Sequence, residues 1–186
     1  MNGENNIAFE YYYNGAGVSL GDINNDGLLD IFFTANKSGN KMYLNLGDMR
    51  FNDVTNQANL GSTRFSTGSV FVDINNDGFL DLYVCNGGKF TDIKQGRENQ
   101  LYINQKDGTF KESAEEYGIN DPNYSIHSAF FDYDLDGDLD LYVANNSATF
   151  LRGITEEQEL ELEKDKNRCL LYSGRMFENV NGKFED

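Results

Sequence analysis

Three short stretches place oxygen-bearing side chains at every second position: DINNDGLLD at 22–30, DINNDGFLD at 73–81 and DYDLDGDLD at 132–140. Carboxylates packed so closely repel one another unless a cation lies among them. The first loop offers the side chains of Asp22, Asn24, Asp26 and Asp30 and the carbonyl of Leu28. The second offers Asp73, Asn75, Asp77 and Asp81 with the carbonyl of Phe79, and the third Asp132, Asp134, Asp136 and Asp140 with the carbonyl of Asp138. About six hard oxygens per loop match what Ca²⁺ takes. Soft ligands are missing from all three, which argues against zinc or copper. Three calcium ions are therefore expected.

An EF-hand loop opens in the same way, but it needs a glutamate at position twelve and a helix on each side. Position twelve here is Phe33, Val84 and Val143, inside apolar runs. A lone acidic turn needs no metal; three with one spacing argue for one. All the ligands of a site come from one short loop, so a structural ion that pins the flanking strands is favoured over an ion that contacts a ligand. The third loop, richest in carboxylate, is expected to bind most tightly.

The elements that position these loops repeat with them. Each loop is followed by a second shared segment, KMYLNLGDMRFNDVT, QLYINQKDGTFKES and RMFENVNGKFED, in which an aromatic residue precedes an asparagine by two (Tyr43/Asn45, Tyr102/Asn104, Phe177/Asn179). A period of about 50–60 residues marks a repeat architecture. Each unit reads as four short strands punctuated by Gly, Asn and Asp. After the loop, Leu29, Ile31 and Phe33 point one way and Phe32 the other, with Leu80, Leu82, Val84 and Tyr83, and Leu139, Leu141, Val143 and Tyr142, as counterparts. Both faces are apolar, so both need a cover. The first strand carries small residues, which suits a crowded position. The fold class expected is all-β, with about three four-stranded β-propeller blades at 15–60, 66–118 and 125–186 in a partial or open propeller. A helix is expected within an insertion at 153–168, where Thr155 can cap it.

Composition removes several classes. The 186 residues hold 31 acidic and 15 basic side chains, a formal charge of −16. Such a surface repels nucleic acid and anionic membranes. No stretch approaches the ~20 apolar residues that span a bilayer. The opening MNGENNIAFEYYYNG shows no signal-peptide pattern. Cys85 and Cys169 are too few for a disulfide scaffold. His127 is the only histidine, no nucleophile elbow or phosphate-cradling loop is present, and no enzyme is expected.

The stretches GAGVSLGDINNDGLLDIFF, GSVFVDINNDGFLDLYV and SAFFDYDLDGDLDLYV, each with its downstream LYIN-type segment, resemble the FG-GAP/VCBS repeat, the blade unit of integrin-α-like propellers. The likeness looks closest to bacterial ASPIC/UnbV and cartilage-acidic-protein-like proteins. The resemblance implies Ca²⁺ on Asp22, Asn24, Asp26 and Asp30 and on their counterparts, in an extracytoplasmic protein serving adhesion, glycan binding or scaffolding. Such propellers close with about seven blades, so a segment of a longer propeller or an open arc is expected. Loops between the second and third strands lengthen from unit to unit and lie opposite the calcium loops. A glycan or protein ligand is expected there, with Tyr11, Tyr12, Tyr13, Phe90, Tyr124 and Phe150 as candidate stacking residues. A purely structural scaffold and a non-catalytic part of a carbohydrate-active enzyme are the alternatives.

Overall fold

The computed structural model describes residues 16–36, 38–87, 96–146 and 174–186. These form three four-stranded sheets, each an antiparallel meander in sequence order. Blade one holds β1 (Val18–Gly21), β2 (Asp30–Phe33), β3 (Lys41–Asn45) and β4 (Phe51–Asp53). Blade two holds β5 (Ser66–Val72), β6 (Asp81–Asn86), β7 (Gln100–Asn104) and β8 (Phe110–Glu112). Blade three holds β9 (Ser125–Phe131), β10 (Asp140–Asn145), β11 (Arg175–Val180) and β12 (Lys183–Glu185). The chain is all-β, with propeller-like blades. The helix expected at 153–168 lies outside the described residues. A four-residue helix, α1 (Ala114–Tyr117), follows β8 and ends on Gly118 in the left-handed region; nothing in the repeat pattern announces it.

Register explains the packing. In blade two, Phe71 pairs with Leu82, Val70 with Tyr83, and Leu82 with Tyr102. Strand alternation therefore sends Leu82, Val84 and Tyr102 toward blade one, and Tyr83, Cys85 and Leu101 toward blade three. The first set closes on Phe32, Met42 and Leu60, and the second on Leu141, Val143 and Phe177. Burying a side chain such as Phe32 or Leu82 contributes about 1.5–3 kcal/mol relative to leaving it in water. Blade two is covered on both faces. Among the described residues, blades one and three are covered on one: Val18, Leu20 and Phe33, and on the far side Phe131 and Tyr142, remain exposed.

The inner strands approach closely, as their small residues predict. Ser19 Oγ lies 2.6 Å from Ser69 Oγ. A Cβ on Gly68 would stand 2.6 Å from the Ile126 carbonyl oxygen, so β5 and β9 meet only because that position has no side chain.

At the end of the blades away from the acidic loops, a second asparagine recurs. Asn40 Oδ1 accepts the Ala35 N–H at 2.9 Å, and its amide donates to Ser66 Oγ of blade two at 3.1 Å. Asn99 Oδ1 accepts the Asn86 N–H at 2.8 Å, and its amide donates to Ser125 Oγ of blade three at 2.9 Å. Each asparagine thus ties the end of one strand to the first strand of the next blade. In blade three Gly174 holds the matching place, and Arg175 reaches the buried Asp121 at 3.1 Å.

Candidate metal centre

Each acidic loop joins the first and second strands of its blade, so the three stand at the same end of the chain's blades. Their backbone is the same three times. The fourth residue (Asn25, Asn76, Leu135) and the glycine at the sixth (Gly27, Gly78, Gly137) have positive φ. Two consecutive side-chain oxygens can then fold inward over the turn. The glycine N–H donates to the first aspartate: Gly27 to Asp22 at 2.8 Å, Gly78 to Asp73 at 2.8 Å, Gly137 to Asp132 at 3.1 Å. The residue after it donates to the fifth-position aspartate in the same way.

The last aspartate of each loop is fully buried and anchored to backbone. Asp30 accepts from Ile23 and Asn45 N–H at 3.0 and 2.8 Å, Asp81 from Ile74 and Asn104 at 3.2 and 2.8 Å, and Asp140 from Tyr133 and Asn179 at 3.0 and 2.9 Å. The asparagine of the downstream segment is therefore the partner of the acidic loop, and the two halves of the repeat are one hydrogen-bonded unit. Its amide returns to the carbonyl that precedes the aspartate: Asn45 to Leu29, Asn104 to Leu80, Asn179 to Leu139. Sequence reading placed Asp30, Asp81 and Asp140 among the ligands and missed this second duty. Burial pushes Asp30 up and Asp81 up to about 6, against the two N–H donors of each.

Among the described residues, one cluster of carboxylates converges tightly. Oxygens of Asp132, Asp134 and Asp136 all lie within 4.8 Å of one another. Loops one and two carry asparagine at the third position. In loop one Asn24 donates to Asp26 Oδ2 at 2.9 Å, so the amide shields one carboxylate from the others. Loop three has no such amide. Asp132 Oδ1 and Asp138 Oδ1 are buried and accept no hydrogen bond from the described residues. A buried carboxylate oxygen without a donor is costly, and a cation removes that cost. Burial pushes the Asp138 carboxyl up, and Asp136, Asp140, Asp134 and Asp132 add to it. Sequence reading used Asp138 for its carbonyl only; its side chain joins the same negative field. The all-oxygen donor set of Asp132, Asp134, Asp136 and Asp138 fits a hard divalent cation such as Ca²⁺.

Loop two differs by a cation beside it: among the described residues, an ion pair to an acidic-loop carboxylate forms only there, between Lys106 and Asp77. Burial would raise Asp77, but the Phe79 N–H and the Lys106 ammonium outweigh it and hold the carboxyl below its usual range. A groove of about 230 Å³ opens beside this loop between blades one and two, lined by Asn24, Asn52, Gln57, Phe79, Lys106 and Phe110 among others. At the opposite end, the Arg97 guanidinium covers the Tyr124 ring at 4.4 Å. Tyr11, Tyr12, Tyr13, Phe90 and Phe150 lie outside the described residues.

Three antiparallel blades, each turning on an acidic loop clamped to its third strand, define a β-propeller-type repeat array. The FG-GAP-like repeat family matches residues 22–84 and 86–143, and the chain belongs to that family. Comparison with curated proteins gives no match.

Proposed function

We propose that this chain is a calcium-stabilised β-propeller module of an extracytoplasmic protein, which presents a binding surface for a glycan or a protein. The observation that carries the calcium reading is loop three, where three carboxylates converge beside two buried oxygens that lack donors. Asp132, Asp134 and Asp136 would hold an ion there, with Asp22, Asn24 and Asp26 and then Asp73, Asn75 and Asp77 as the counterparts. Such an ion supplies the positive charge that lets the loop carboxylates stand together, and so staples the first strand of a blade to the second. Weak sites of about 10⁻⁴–10⁻³ M are typical of extracellular modules, which supports placement where calcium is millimolar. Among the described residues, no helix is long and apolar enough to cross a membrane.

Recognition is assigned to the end opposite the metal loops, where the longer connections run. Loops carried on a rigid scaffold are where function concentrates. Catalysis is not assigned. The Cys85 thiol is buried and pushed up to about 12, so it is not poised as a nucleophile. The locality of each ligand set favours a second reading, in which the array is a scaffold only. Calcium-dependent melting together with binding on a glycan array supports recognition. The same melting with no hit on the array supports the scaffold. Melting indifferent to calcium and to chelator overturns the metal reading.

A further inference from the structure

Among the described residues, loop two alone has a side-chain cation beside its carboxylates. Lys106, in the turn between β7 and β8, places Nζ 3.3 Å from Asp77 Oδ2 and 5.2 Å from the centre of the Phe79 ring. The same ammonium lies 3.4 Å from the Asp77 carbonyl oxygen. Asp77 occupies the fifth position of the loop, and Phe79 the seventh, whose carbonyl the calcium reading counts among the ligands.

The backbone at Lys106 makes the placement notable. Its N–H donates to Asn104 Oδ1 at 2.9 Å. In blade one the N–H donating to Asn45 Oδ1 belongs to Gly47, and in blade three the one donating to Asn179 Oδ1 belongs to Gly182. Lys106 has φ of 64°, and the two glycines 75° and 83°. Positive φ is disfavoured for any residue with a Cβ. Gly47 holds the matching position in blade one and Asn181, with φ of 56°, in blade three; a lysine stands there only in blade two, where its side chain reaches the acidic loop.

We infer that Lys106 sets the affinity of loop two for divalent cations. Its ammonium competes with the ion for Asp77, and so makes loop two the weakest of the three sites. This inference rests on the calcium reading and goes further, because it ranks the sites by an interaction outside the ligand set. A bound divalent ion and the ammonium repel one another across the shared carboxylate. Because Lys106 is half exposed, solvent screens the effect, and removal of its charge should tighten the site about two- to fivefold.

The loop glycines give a separate signal for each site, because Gly27, Gly78 and Gly137 each donate a backbone N–H to the first aspartate of their own loop. Amide spectra of the full chain titrated with calcium would follow all three at once. Gly78 is expected to reach its midpoint at the highest calcium concentration. In Lys106→Met its midpoint should fall about two- to fivefold, while those of Gly27 and Gly137 stay in place. Lys106→Arg, which keeps the charge, should leave the Gly78 midpoint where it was. A Gly78 midpoint unmoved by Lys106→Met, or one already the lowest in the unaltered protein, overturns this inference and leaves the calcium reading standing. Silence of all three glycines overturns both.

Discussion

Asn104 and Asp81 hold one another from two sides. The Asn104 N–H donates to Asp81 Oδ1 at 2.8 Å, and the Asn104 amide donates to the carbonyl of Leu80 at 3.2 Å. That amide also donates to the carbonyl of Ile23 in the first loop at 2.9 Å. One side chain therefore ties its own acidic loop to its own strand and both to the neighbouring blade. Asn104→Ala leaves buried carbonyls without donors, and unfolding in urea should show a loss of about 2–3 kcal/mol. Asn45, which has no contact of this kind to a second blade, should cost about 1 kcal/mol when replaced by alanine.

Asp81 makes the metal-free protein sensitive to mild acid in an unusual direction. Burial raises its folded-state value to about 6, and the fields of Asp77 and Asp73 contribute. Between the ordinary carboxylate value and 6, the folded chain holds a proton that the unfolded chain has released. Its contribution is therefore present below about pH 4 and is lost as pH rises through 6. The change amounts to about 2–3 kcal/mol at most. Urea midpoints of metal-free protein should fall across that window, and Asp81→Asn should flatten the fall. Asp53, held at about 2 by hydrogen bonds from Lys41 and Thr55, runs the other way, its contribution being lost as pH falls through that value.

Leu135 is exposed at 85 % and has φ of 66°, in the place where the other loops carry Asn25 and Asn76. Leucine is disfavoured in the left-handed region by about 1–2 kcal/mol, whereas asparagine tolerates it. Leu135→Asn should raise stability by about 1 kcal/mol in denaturant unfolding with no change in the number of ions bound. An unchanged midpoint would mean that the loop relaxes away from that conformation in solution.

Calorimetric titration of the whole chain with calcium should lose its tightest step in Asp132→Ala. Loop three combines the convergent carboxylates with the oxygens that lack donors, and affinity follows ligand charge. Loss of the weakest step instead would reverse the ranking.

Much of this architecture can be read from the letters. The alternation around Phe32, Tyr83 and Tyr142 foretells sheets apolar on both faces, and the small residues of the first strands foretell their crowding. The aromatic–x–Asn signature marks the third strand but conceals its reason, because a ligand and a backbone anchor are both written Asp. Only the fold shows Asp81 receiving Asn104, or Asn104 reaching Ile23 across 81 positions. Asn40 and Asn99 were open to the same reading, since each precedes the strand asparagine by five residues. Lys106 could not be found that way, because its partner lies in another segment of the chain. The helix α1 is too short for periodicity to reveal.

The apolar packing and the asparagine ties that join blade one to blade two recur, displaced by one unit, between blades two and three. Strand follows strand within a sheet, and no strand crosses to a neighbour. A copy of the unit inserted between two blades would meet apolar surfaces of the kind those blades already present, and no strand pairing would have to shift. Growth by duplication is thus built into the shape of the unit, and its thermodynamics are those of a linear chain of nearest neighbours.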